Sequence, residues 1–171
     1  MNQILLGNCV SFLAAVLLGL ASWTKKSNRV FIYQIAENVV LAMSSVVFGS
    51  YAAAVSTLLA AARCAVIIKG RYSRLLMTFF AAATFLLGIV TNSRGWLGLL
   101  PVIASVEFTV CNYFLTDIKG IKWSLLVNTA LWDYYAFAIR DYVSGIAWAI
   151  TITLTSVSLV SIYREERQQA L

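Results

Sequence analysis

The sequence contains no histidine, a single proline and three cysteines, and only 12% of its 171 residues are charged. Without histidine, imidazole acid–base catalysis, His-containing zinc sites and zincin or deaminase chemistry are excluded. Cys9, Cys64 and Cys111 are odd in number, far apart and each set in an apolar run. Neither a disulfide framework nor a C-x-x-C metal site can be assembled from them, and they read as small packing residues. No G-x-x-x-x-G-K-[ST] loop is present, so nucleotide-driven pumping within the chain is excluded as well. The scarcity of charge is matched by 61% hydrophobic residues and a mean hydropathy of +0.83. Soluble domains are about 45–50% apolar and about 25% charged. Too little polar surface remains to cover a water-facing globule, and the chain reads as an all-α integral membrane protein with the lipid bilayer as its first partner.

A helix that crosses a bilayer takes about 20 apolar residues. Apolar runs lie at 3–23, 30–48, 51–68, 75–92, 97–115, 122–139 and 143–163, which predicts seven transmembrane helices and no extramembrane domain. Transmembrane strands would be shorter and would alternate. The first run ends near small residues, Gly19-Leu20-Ala21-Ser22, as a signal peptide does. It has no basic stretch before it and is long enough to span, so it is expected to be a helix.

The net charge of +6 does not point to nucleic acid, because the basic residues fall in short clusters between the apolar runs. Lys25, Lys26, Arg29, Lys69, Arg71, Arg74, Lys119, Lys122, Arg164 and Arg167 fall on one side of the predicted topology, and Arg94 and Arg140 on the other. Cytoplasmic loops retain positive charge, so the N-terminus is expected outside and the C-terminus in the cytoplasm. Trp23, Tyr72, Trp123 and Tyr163 would mark the inner boundary, and Tyr51, Trp96 and Tyr142 the outer one.

The chain also aligns with itself at a shift of about 90–91 residues. Leu6-Gly7 falls on Leu97-Gly98, Asn38 on Asn128 and Tyr51 on Tyr142, and the basic loops coincide. Helix, basic loop, helix, tight turn, helix, basic end occurs twice in the same order. The expected organisation of residues 1–171 is a first triple-helix bundle at 1–71, a linker helix at 72–94 and a second, parallel triple-helix bundle at 95–171. Parallel repeats of this kind are a transporter architecture, with the substrate between the halves near the midplane.

Three segments carry a family resemblance: Leu99-Leu100-Pro101-Val102-Ile103, Ala61-Ala62-Arg63-Cys64-Ala65-Val66 and Lys119-Gly120-Ile121-Lys122-Trp123. They resemble the YgjV-type bacterial inner-membrane proteins over most of the chain. That family is similar to the SWEET, PQ-loop and PnuC-like group, whose triple-helix bundles move sugars, nucleosides or vitamins. The resemblance implies a multi-pass protein of the bacterial inner membrane with 3+1+3 helices. SWEET-like proteins carry a hinge proline in the first helix of each bundle. Here Pro101 holds that place in the second half, while the first half has Val10, which implies unequal motion of the two bundles.

Ionisable groups inside a bilayer generally face the bundle interior and mark functional paths. Glu37, Arg63, Glu107 and Asp133 lie within predicted spans. Glu37 and Arg63 are each about six or seven residues from an inner helix end, roughly 10 Å deep at 1.5 Å per residue. They are expected to pair, either as a structural ion pair or as a gate. Glu107 and Asp133 have no cation left to pair with and would give a shared cavity net negative charge, unless Tyr hydroxyls or amides take them up. Asn38 and Asn128 are the repeat-related amides, suited to a polar substrate or to interhelical bonding. Trp132 lies one turn beyond Asn128 on the same face, placed to stack a ring or to pack in the core.

The expected substrate-binding set is Asn38, Asn128, Trp132, Asp133 and Glu107, with no metal, cofactor or catalytic group. The function expected from these features is alternating-access transport or facilitation of a sugar-, nucleoside- or vitamin-like metabolite. A membrane ligand or cargo receptor of the same architecture is the alternative. An intramembrane enzyme has least support, since no catalytic spacing of Ser, Asp and Lys is present. Ala52-Ala53-Ala54 and Ala60-Ala61-Ala62 permit close helix approach and fit intrabundle packing and homo-oligomer formation equally.

Overall fold

The computed structural model describes residues 2–23, 27–115 and 118–169. Among the described residues the chain forms seven helices and no strand: α1 (Gln3–Trp23), α2 (Ser27–Val47), α3 (Tyr51–Ile68), α4 (Arg74–Val90), α5 (Trp96–Phe114), α6 (Ile118–Ile139) and α7 (Tyr142–Gln169). The expected basic residues Lys25 and Lys26 and the side chain of Trp23 lie outside the described residues. Five of the helices match the predicted spans within about three residues at each end, and α6 and α7 run longer. The first turn of α6 is fixed against the end of α7 by the Lys119–Glu166 ion pair and by Lys122 donating to Ser158 (2.6 Å). Both extensions are therefore polar helix, which a hydropathy pattern does not register.

Left-handed residues end three of the helices. Gly49 (φ 69°), Gly70 (φ 63°) and Arg140 (φ 67°) follow α2, α3 and α6, each inside a Schellman pair of backbone bonds. After α2 these are Gly49 N to Val46 O (2.9 Å) and Ser50 N to Ser45 O (2.8 Å). After α6 they are Arg140 N to Phe137 O (3.2 Å) and Asp141 N to Ala136 O (2.9 Å). The two turns have the same pair of backbone bonds and nearly the same positive φ at a shift of 91 residues, so the repeat seen in the sequence extends to the conformation of this turn.

In each half the helices pack in chain order, α1 on α2 on α3 and α5 on α6 on α7. Among the described residues α1 makes no close backbone approach to α3, and α5 makes none to α7. Each triplet is thus an open arc. The arcs meet where α3 packs on α5 and α1 packs on α7, which closes a ring of six helices, and α4 lies outside across α3 and α5. Gly88 of α4 permits that approach, since a side chain there would collide with Val102 of α5.

The ring has a polar inside and an apolar outside. Ser11, Glu37, Ser44, Ser56, Thr57, Arg63, Ser105, Thr109, Thr129 and Asp141 are buried, whereas Phe12, Phe79, Phe85, Ile150, Leu154 and Val157 are exposed. Leu75 and Val90, near the two ends of α4, are 80% and 81% exposed. Cys9 is exposed rather than packed, Cys111 is half-buried and Cys64 is buried. By length and hydropathy together, Tyr51–Ile68 and Tyr142–Gln168 qualify as membrane spans, and the apolar parts of α1, α2, α4 and α5 are shorter.

Candidate functional site

A cavity of about 150 Å³ lies inside the ring, lined by residues from all six ring helices. On α2 it is bordered by Gln34, Glu37, Asn38 and Leu41, and on α6 by Leu125, Asn128, Thr129 and Trp132. Each set is spaced i, i+3, i+4, i+7, which puts it on one helix face. The two sets are again related by 91 residues, which pairs Glu37 with Asn128 and Asn38 with Thr129, one position away from the Asn38–Asn128 correspondence expected from sequence. Thr57 and Ala60 of α3 correspond in the same way to Trp148 and Thr151 of α7, and all four line the cavity. Ser105 and Phe108 of α5 and Leu18 of α1 complete much of the wall.

Asn38, Asn128, Trp132, Glu37 and Arg63 all border this one space. Asn38 donates to Gln34 O of its own helix (2.7 Å), while Asn128 donates across to Ala104 O of α5 (2.7 Å). Asn128 therefore bonds between helices and faces the cavity at once. Trp132 packs at a tilt against Trp148 (ring centroids 5.4 Å apart) and edge-to-face against Tyr135 (6.1 Å).

The expected Glu37–Arg63 ion pair is not formed among the described residues. Arg63 points to the α3–α5 seam, where it donates to Thr109 and lies over the Phe108 ring at 5.4 Å. Glu37, 8% exposed, has no protein partner among the described residues. Glu107 and Asp133 do not border the cavity. Glu107 accepts from Ser124 (2.7 Å) between α5 and α6 and leaves its second oxygen buried without a donor, and one Asp133 oxygen is likewise buried and unpartnered. Neither acid lines the cavity, so the two do not supply the net negative charge expected there from sequence. Pro101 is buried, and α5 continues through it.

The ends of the ring differ. Towards the face that carries the N-terminus, Phe48, Ala53, Tyr135 and Ile139 form an apolar cluster with Leu100 and Trp132. Both seams are bonded there. Asn8 donates to Arg140 O (3.1 Å) and accepts from Val143 N (3.1 Å), and Ser11 donates to Asp141 (2.7 Å). Across the ring, Arg94 and Ser93 donate to Phe48 O and Gly49 O. At the basic face the described bonds between the arcs are at the α3–α5 seam, from Arg63 and Tyr72 to Thr109.

A family model described as bacterial inner membrane protein, Imp-YgjV, matches residues 5–169. The chain belongs to that family. As an Imp-YgjV protein it resides in the bacterial inner membrane, and the apolar outer face of its ring is the face that lipid covers. No curated protein and no solved structure matches the chain. Sequence reasoning missed Gln34, Thr57, Ser105, Phe108, Trp148 and Thr151 of the cavity wall of this Imp-YgjV protein. A signal for Gln34 was present in its i, i+3, i+4 relation to Glu37 and Asn38, and the 91-residue shift maps Thr57 onto Trp148.

Proposed function

We propose that the chain is a transporter or facilitator that carries a small polar metabolite across the inner membrane by alternating access to the ring cavity. All seven helices cross the membrane in this reading, with the N-terminus outside and the C-terminus in the cytoplasm. The carrying observation is that one partly open cavity, with polar groups set in a largely apolar wall, is lined at repeat-equivalent positions of both arcs. Such a site between parallel repeats suits rocking of one half on the other. In support, the N-terminal face is closed by an apolar cluster and bonds across both seams, while the arcs are less tied at the basic face. The conformation is then one that is closed to the outside. Lengths of 17–28 residues suit a crossing of about 30 Å with some tilt.

The test is flux. Purified protein in proteoliposomes should equilibrate a labelled substrate, and Asn128→Ala and Trp132→Ala should each lower the rate by about tenfold or more while the protein stays folded. Binding with no flux in the native chain would overturn transport and assign a ligand or cargo receptor instead.

A further inference from the structure

The two arcs place different chemistry at corresponding positions of the cavity. Glu37 and Arg63 stand on the α2–α3 side, while the residues 91 positions later are Asn128 and Leu154, the latter on the exposed outer face. Trp132 and Trp148 stand on the α6–α7 side, where the first arc has Leu41 and Thr57. The cavity therefore has one charged wall and one aromatic wall.

Both charges are short of partners. The Glu37 carboxyl receives no hydrogen bond from the described residues, and the Arg63 guanidinium, with five N–H donors, has Thr109 as its one hydrogen-bond acceptor among them, while both residues line the cavity. Neither has the other as counter-ion. Buried unpaired charge is costly, and a ligand that brings both signs would satisfy both groups. A ligand with one sign would satisfy one group and be repelled by the other. Size limits the ligand further, because a cavity of about 150 Å³ is the size that holds benzene. A molecule on the order of ten non-hydrogen atoms fills a space of this size.

We infer that the cavity recognises a small zwitterion, an α-amino-acid-like molecule with an apolar side chain. Its carboxylate meets Arg63, its ammonium meets Glu37, and its apolar part lies against Trp132 and Trp148. The inference rests on reading this cavity as the site of the carried molecule. It names a different substrate class from the sugar-, nucleoside- or vitamin-like one that the sequence suggested.

The experiment measures equilibrium binding to the full-length protein in nanodiscs with three matched probes. These are leucine, 3-methylbutylamine (the same skeleton without the carboxylate) and 4-methylpentanoate (without the ammonium). Leucine should bind about tenfold or more tighter than either relative. Glu37→Gln should shrink its advantage over 4-methylpentanoate, and Arg63→Gln its advantage over the amine. The native-chain comparison stands even where a variant fails to fold. Amine or carboxylate binding equal to leucine, or no binding of leucine, would overturn the inference. Leucine binding without flux would remove the transport reading alone, and flux of a neutral sugar without leucine binding would remove this inference alone.

Discussion

At the scale of single residues, the buried polar groups divide by what completes them. Asn38, Asn128, Glu37 and Arg63 were legible as interior residues because each is costly in lipid and lies in an apolar run. Their partners were not legible, since nothing in the spacing says that Arg63 reaches Thr109 on α5 instead of Glu37 on α2. Asp141 escaped notice altogether because it lies in a two-residue turn, yet it is buried and accepts from Ser11 and from Ser144 N (3.2 Å). Burial pushes its carboxyl above the usual aspartate value of 3.8, against the downward pull of those bonds. The folded chain then holds this proton to higher pH than the unfolded chain. Its contribution to stability is full below pH 3.8 and is lost as pH rises through the raised value. Thermal midpoints measured across that range should fall with pH in the native protein and fall less steeply in Asp141→Asn. Parallel curves would refute the assignment.

At the scale of elements, helices α1 to α5 were legible because apolar runs end at polar or glycine-containing turns. The early start of α6 and the charged tail of α7 were not, because they are held by bonds between the two helices. The repeat was legible in order and length, but its clearest expression is the pair of turns at Gly49 and Arg140. Glycine adopts a positive φ freely, while a side chain there costs about 1 kcal/mol. Arg140 is exposed, and its carbonyl, not its side chain, receives the Asn8 bond. Arg140→Gly should therefore raise stability by about 1 kcal/mol, read as a higher thermal midpoint. A lower midpoint would mean that the guanidinium itself holds the turn.

At the scale of the whole molecule, membrane residence was legible from composition alone, and seven helices from the spacing of apolar runs. Closure of the ring was not, because contacts of α1 with α7 and of α3 with α5 join segments distant in sequence. The uneven distribution of Lys and Arg makes a separate claim about orientation. A fluorescent-protein fusion at the C-terminus should be bright in cells, and an alkaline phosphatase fusion at the same point should be inactive. The opposite pattern would invert the proposed topology.

Trp132 belongs to two places at once, since its indole forms part of the cavity wall and also packs against the apolar cluster with Phe48 and Tyr135. A guest that displaces this ring must disturb the stopper beyond it, and loosening the stopper must alter the guest's berth. In the proposed transport reading, filling the chamber and unsealing its far end would be coupled through this one side chain.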